Sequence, residues 1–322
     1  MATVDVPELV TRARKGQPRA VARLISLVEG ASPQLREVMA ALAPHTGHAY
    51  VVGLTGSPGV GKSTSTSALV SAYRRAGKRV GVLAVDPSSP FSGGALLGDR
   101  VRMSEHASDP GVYIRSMATR GHLGGLAWAA PQALRVLDAA GCDVILVETV
   151  GVGQSEVEIA SLADTSVVLL APGMGDGIQA AKAGILEIGD VFVVNKADRE
   201  GADATVRELN HMLGLGEARA AGDWRPSVVK TVAARGEGVD EVVEALEKHR
   251  AWMEERGVLT GRRLRRAAHE VESIAVTALR ERIGDLHGDR RLTALAEQIL
   301  AGRLDPYRAA DQLVEGVTGH RG

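Results

Sequence analysis

Gly56-Ser57-Pro58-Gly59-Val60-Gly61-Lys62-Ser63 is the stretch whose reading decides the fold. It fits the phosphate-loop pattern G-x-x-x-x-G-K-[ST], with Gly56, Gly61, Lys62 and Ser63 at the specified places. The run from Tyr50 to Leu54 before it is short and β-prone. The segment after it, Thr64 to Ala76, is helix-prone and holds no Gly or Pro. Strand, glycine loop and helix in that order turn a pattern into a physical expectation. Glycines let backbone N–H groups converge on phosphate oxygens, and the helix N-terminus adds the positive end of its dipole. Lys62 then meets the terminal phosphates as a point charge, and Ser63 ligates Mg²⁺. The loop from Gly56 to Thr64 is expected to hold a nucleoside triphosphate; the bland alternative is a glycine-rich turn.

Composition narrows the setting. The 322 residues suffice for one large domain with helical additions, and 45% apolar with 24% charged residues is ordinary for a soluble globular chain. A formal net charge of −1 gives no bulk attraction to nucleic acid or to an anionic membrane. Aromatic residues make up only 3%, which removes the stacking platforms of single-strand nucleic-acid binders. Cys142 stands alone, so neither an internal disulfide nor a thiolate metal cluster is available. No secretory h-region and no apolar stretch approaching the ~20 residues of a membrane helix is present. A cytoplasmic protein is expected, with no nucleic-acid or membrane partner.

Three regions follow from patterning: an N-terminal helical extension (1–46), an α/β nucleotide domain (47–256) and a C-terminal helical arm (257–322). Residues 5 to 43 show helical stripes, with Ser32-Pro33 as the N-cap and first position of the second stripe, and a helical hairpin packed on the next domain is expected. From Ala49 onward, strands are expected at 50–54, 79–85, 112–116, 143–148, 166–171, 191–195 and 227–232, with helices in most gaps. Runs such as Val144 to Val147 are apolar throughout, as in strands buried on both faces of a mostly parallel sheet. After Glu255 the alternation stops. Leu264, Ala268, Val271, Ala275, Ala278 and Ile283 form one helical stripe, and Asp305-Pro306 opens a last short helix. The basic run Arg262 to Arg266 reads as a solvated helix face, and the stripe beside it points to a dimer.

Ligands of such sheets sit beyond the C-terminal strand ends, so the chemistry is sought there. Asp86 ends the second strand and leads to Asp99; either is placed to serve Mg²⁺ or an attacking water. The cluster from Arg115 to Gly125 suits a phosphate-facing loop or plain solvation, and spacing leaves both open. Glu148 ends an apolar strand in the Walker B manner, and the Glu148-x-x-Gly151 pattern stands where many GTPases carry Asp-x-x-Gly. The Gly151 N–H is the natural sensor of a γ-phosphate. Val152 follows it, so the water-orienting glutamine of Ras-type enzymes is missing there and slow intrinsic turnover is expected. Asn195-Lys196-Ala197-Asp198 is an N-K-x-D pattern at a strand end. Asp198 accepts from guanine N1–H and the 2-amino group, Lys196 lies along the purine, and Asn195 braces the neighbouring loop. A site built on such pairs rejects adenine, so the nucleotide is GTP or GDP. The backbone N–H of Ala233 or Ala234 is placed against guanine O6.

With these residues in hand, the sequence resembles the methylmalonyl-CoA mutase-associated GTPases, P-loop GTPases of the MeaB type, over nearly the whole chain. The distinctive stretches are Val85 to Phe91 with Gly98-Asp99-Arg100, Ala118 to Gly125, Glu148 to Ser155 and Pro172 to Lys182. The resemblance implies a P-loop NTPase core and a homodimer built through the C-terminal helices. It also implies a GTP-hydrolysing chaperone that gates cofactor loading into adenosylcobalamin-dependent methylmalonyl-CoA mutase and protects that enzyme. It casts Asp86 to Asp99 as switch I, Glu148 to Glu158 as switch II, and Gly173 to Lys182 as a third switch whose polar members are Asp176, Gln179 and Lys182. Gly177 departs from the bulkier or charged residue expected after Asp176.

Other readings differ in what they require. A nickel-delivering metallochaperone GTPase wants a Cys/His cluster or a histidine-rich tract, and the nine histidines here are scattered. A GTP-dependent transport regulator or kinase needs a second substrate pocket, for which the sequence carries no signature. A scaffold that binds GTP without hydrolysing it differs only in turnover.

Overall fold

The strands form where the apolar runs stand: β1 (Tyr50–Thr55), β2 (Val80–Pro87), β3 (Val112–Thr119), β4 (Val144–Thr149), β5 (Thr165–Leu170), β6 (Val191–Asn195) and β7 (Ser227–Thr231). In the computed structural model, which describes residues 4–87, 103–119, 129–149, 155–173, 185–215, 222–283 and 290–318, they pair in one parallel sheet. The order is β3-β2-β4-β1-β5-β6-β7. Connections leave β1 toward β2 and β3 on one side, and from β5 onward they build the other side. The switch point of the topology therefore lies at the C-terminal end of β1, where such sheets bind ligands.

Side-chain alternation divides the core in two. Tyr50, Val52 and Leu54 of β1, with Val144 and Leu146 of β4, face α4 (Lys62–Arg75) and the helix Val239–Glu255. Val51 of β1, with Ile145 and Val147 of β4, faces the other layer. That layer holds the N-terminal helices α1 (Val6–Arg14), α2 (Pro18–Glu29) and α3 (Leu35–Leu42), together with α5 (Ala130–Ala139) and α6 (Ser155–Leu162). A third cluster joins Val168, Leu170, Phe192 and Val194 to Leu209 of α8 (Ala202–Leu215); the short helix α7 (Ile185–Ile188) precedes β6. Helices on both faces explain why the strands read as unbroken apolar runs.

The N-terminal segment is three helices rather than a hairpin. α3 starts at Leu35, with Gln34 at its N-cap, two residues later than the expected Ser32 cap. Ser32 Oγ instead accepts the Gln34 N–H at 3.3 Å within a turn, and the Gln34 amide bonds Val4 N–H (3.1 Å) and Val4 O (2.8 Å). Asp138 of α5 fixes the entry to β1 by accepting the N–H groups of Gly47, His48 and Ala49 at 2.5, 3.3 and 2.9 Å. Arg115 lies inside β3 and bonds Glu29 of α2, which makes it a tether between helix and sheet. The rest of its sequence cluster, residues 120–125, is outside the described residues.

Contacts divide the chain into two compact units, residues 1–262 and 263–322. α9 (Val239–Glu255) belongs to the first, and α10 (Val258–Ile283) runs through the boundary. The second unit adds α11 (Arg290–Leu300) and α12 (Pro306–Thr318). Asp305 caps α12, accepting from Tyr307 N (3.0 Å) and Arg308 N (3.1 Å) with Pro306 at the first position, as expected. Leu264, Val271, Ile274 and Leu279 stand exposed. No helix among the described residues is long and apolar enough to cross a membrane.

The first arginine of the basic run is half-buried and paired rather than simply solvated. Arg262 makes a bidentate pair with Asp190, both bonds 2.8 Å, and also donates to Asp164 O at 2.8 Å. This pair closes the N-terminal edge of the sheet beside His249 of α9, which is fully buried. His249 Nδ1 lies 2.8 Å from Thr165 Oγ1, and Thr165 Oγ1 lies 2.5 Å from Tyr50 Oη. The rings of Trp224 and Trp252 pack against the imidazole at 4.6 and 5.7 Å between centroids. Burial pulls the His249 pKa down to about 4; Asp190 opposes this and Arg262 adds to it. An unfolded chain takes up this proton at about pH 6.5. The folded state is therefore fully favoured above that pH and loses stability as pH falls toward 4. Urea unfolding of wild type and His249→Gln between pH 7.5 and 4.5 tests this. The wild type is expected to lose on the order of 2–3 kcal/mol more than the variant across the window; parallel curves refute it.

Candidate functional site

The loop between β1 and α4 is shaped by its glycines. Gly56 (φ 140°), Gly59 (φ 82°) and Gly61 (φ 100°) all occupy conformations closed to most side chains. A Cβ on Gly56 would fall onto Leu169 O of β5, and one on Gly61 would fall onto Asn195 Nδ2. Between them Val60 is buried and pins the loop to the core, while Pro58 and Gly59 are exposed and Ser57 is half-buried. Gly61 is the left-handed N-cap of α4, and the first turn of that helix carries no acidic residue. The positive end of its dipole thus meets no carboxylate from its own first turn. Lys62 is 8% exposed, and its Nζ donates to Gly56 O and to Ser57 O (3.2 Å), so its ammonium lies across the loop. Ser63 follows, half-buried, and Thr64 is exposed.

The N-K-x-D stretch is joined to this loop directly. Asn195 ends β6 and is buried; its Nδ2 donates to Val60 O at 2.9 Å. Its Oδ1 accepts from Thr231 Oγ1 (3.1 Å) and from Ala233 N (3.0 Å). Lys196 takes a left-handed backbone (φ 58°) and its Nζ donates to Gly59 O at 2.6 Å. Asp198 is exposed, with Arg235 Nη2 at 3.8 Å from its Oδ2. The Ala233 N–H is committed to Asn195, whereas Ala234 is exposed in the same 3₁₀ turn. Thr231 and Arg235 were not among the sequence candidates. Thr231 ends a strand beside a motif, a signal that alternation alone could have supplied; Arg235 carried none.

On the other side of β1 stands β4, in register Leu54↔Glu148, with Ala84↔Glu148 across to β2. Glu148 is 1% exposed, and Thr66 Oγ1 of α4 donates to its Oε2. The strand end of β2 brings the Asp86 backbone alongside Ala118 of β3; the Asp86 side chain is outside the described residues. So are Asp99, Gly151, Asp176, Gln179 and Lys182. What is placed supplies oxygen donors only, a serine hydroxyl and a carboxylate, which is the chemistry a hard divalent cation takes.

The family described as methylmalonyl Co-A mutase-associated GTPase MeaB matches residues 21–286. A Pyrococcus abyssi protein whose name carries the word GTPase is 48% identical over 316 residues, covering 98% of this chain and 97% of its own. The mouse mitochondrial methylmalonic aciduria type A homolog is 35% identical over 330 residues, 96% of this chain and 79% of its own. The crystal structure of a LAO/AO transport system kinase superimposes with a TM-score of 0.74 at 26% identity, covering 99% and 100% of the two chains. A phosphate loop braced by an N-K-x-D asparagine on a seven-stranded parallel sheet, and a family match across most of the length, lead to one conclusion: the chain belongs to the MeaB family of methylmalonyl Co-A mutase-associated GTPases.

Proposed function

We propose that this GTPase is a switch that serves an adenosylcobalamin-dependent methylmalonyl-CoA mutase, gating cofactor loading and protecting the enzyme from inactivation. The observation that carries the nucleotide part is the Asn195 side chain, which ties the phosphate loop at Val60 to the base side at Thr231 and Ala233. The family's name supports the partner.

In this reading the N–H groups of Gly59, Val60, Gly61, Lys62, Ser63 and Thr64 wrap the phosphates, with the Lys62 ammonium turning from the loop carbonyls to the β- and γ-oxygens. Gly56, Ser57 and Pro58 set the loop's approach. Asp198 reads the guanine edge, Lys196 lines its face and the Ala234 N–H meets O6. We assign Mg²⁺ to Ser63, Asp86, Asp99 and Glu148, directly or through water; when bound it neutralises charge on the terminal phosphates. Gly151 senses the γ-phosphate, and Asp176, Gln179 and Lys182 form the switch that carries partner contact to the site. The exposed apolar stripe of residues 263–322 suits pairing with a second copy of the chain.

Lys62→Ala is expected to abolish GTP binding and turnover while the melting temperature stays within about 3 °C; an unchanged hydrolysis rate refutes the phosphate-loop assignment. Asp198→Asn is expected to weaken GTP about tenfold or more and to favour xanthosine triphosphate, whose 2-oxo group complements the new amide. Competition binding with a fluorescent guanine nucleotide reads this, and unchanged discrimination removes Asp198 from base recognition. GTP turnover is expected to rise about tenfold or more on adding purified methylmalonyl-CoA mutase. No complex and no acceleration would reject that partner while leaving the nucleotide site standing.

A further inference from the structure

Thr66 occupies the fourth position after Lys62 on α4, so both lie on one face of that helix. Its side chain is fully buried. A buried threonine in a helix commonly returns its hydroxyl proton to the carbonyl four residues back, and Thr66 Oγ1 does lie 3.1 Å from Lys62 O. Here it also faces a second acceptor at shorter range, the Oε2 of Glu148. One hydroxyl proton thus stands between the backbone of the phosphate-loop lysine and the carboxylate that ends β4.

The arrangement is asymmetric in energy. A backbone carbonyl at the start of a helix tolerates sharing its donor, whereas a carboxylate at 1% exposure depends on the donors around it. A hydrogen bond to a charged acceptor is also about twice as strong as a neutral one. Glu148 sits between β1 and β2 in the sheet, so its backbone is fixed and its side-chain torsions decide where the carboxylate lies. The Thr66 hydroxyl restricts them at Oε2.

We propose that Thr66 is a positioning residue for Glu148, its hydroxyl holding Oε2 against α4 so that the carboxylate keeps one orientation relative to Lys62. This rests on the reading of Glu148 as part of the hydrolytic site. The proposed role needs no contact of Thr66 with nucleotide or metal. It acts on turnover through the carboxylate and leaves base and phosphate binding to the loop.

The test compares three substitutions in the full chain. Thr66→Val keeps shape and removes the donor; Thr66→Ser keeps the donor and removes a methyl group. Glu148→Gln removes the charge on which the proposal depends. Thr66→Val is expected to lower kcat about tenfold with KM for GTP within about twofold. It is also expected to raise the Mg²⁺ concentration that half-saturates the tight binding of a fluorescent GDP analogue, a readout independent of turnover. Thr66→Ser should restore both values to near wild type, and Thr66→Val with Glu148→Gln should be no slower than Glu148→Gln alone. Equal kcat loss in the Val and Ser variants would assign the effect to packing and overturn the proposal. So would a wild-type kcat for Thr66→Val beside a slow Glu148→Gln. A wild-type kcat for Glu148→Gln would instead overturn the reading of Glu148, and Thr66 with it. If the Val variant melts below the assay temperature, Thr66→Ala replaces it as the donor-free arm, with the same outcomes.

Discussion

A single buried amide joins the two halves of the proposed nucleotide site. Asn195 has one oxygen with two lone pairs and one NH₂ group. The oxygen takes the Thr231 hydroxyl and the Ala233 N–H, and the nitrogen gives to Val60 O. Flipping the amide would set NH₂ against the Ala233 donor and oxygen against the Val60 carbonyl, so only one orientation satisfies the site. An aspartate could accept from Thr231 and Ala233 but would face Val60 O with another acceptor. The residue type is therefore fixed by its partners, and so is Gly61, since any Cβ there would occupy the space of Asn195 Nδ2. The loop at Val60 and the turn at Ala233 cannot drift apart while this amide stays buried.

The fold was largely readable because its determinants are local or periodic. Strands buried on both faces read as apolar runs; β6 falls on the expected 191–195, and β4 lies one residue later than the expected 143–148. The phosphate loop and the N-K-x-D stretch were readable for another reason: each needs particular residues at fixed spacing. What escaped was made by partners distant in sequence. Arg262 looked like part of a solvated basic run because nothing near it announces Asp190, 72 positions away. Ser32 looked like a helix cap because it precedes a proline, yet the Gln34 amide is drawn 30 positions back to Val4 and the helix begins after it. Arg115 had two readings until Glu29 came alongside. In each case a polar side chain chose a tertiary partner over the role its neighbours suggested.

Placing these residues on the sheet shows a division between its two edges. At the N-terminal edge, Tyr50, Thr165, His249, Asp190 and Arg262 form a buried polar cluster packed by Trp224 and Trp252. Such a cluster is costly when one partner is removed and adds little beyond what a well-packed apolar core would give. Its value lies in fixing geometry. It holds the starts of β1, β5 and β6 against α9, and these same three strands end at Thr55, Leu170 and Asn195, around the phosphate loop.

The C-terminal edge works under the opposite constraint. In the proposed site, side chains that grip a nucleotide must be able to exchange partners: Lys62 bonds loop carbonyls and Lys196 bonds Gly59 O, bonds that a ligand would partly replace. Exchange at one end is tolerable only if the strands themselves do not shift, since a displacement of 1 Å at a strand end would separate Asn195 from Val60. The closed polar cluster at one edge is what allows replaceable hydrogen bonds at the other. Substitutions at His249 or Arg262 should therefore register as stability, those at Lys62 as binding, and those at Thr66 or Glu148 as turnover, although all of them pack on or belong to the same sheet.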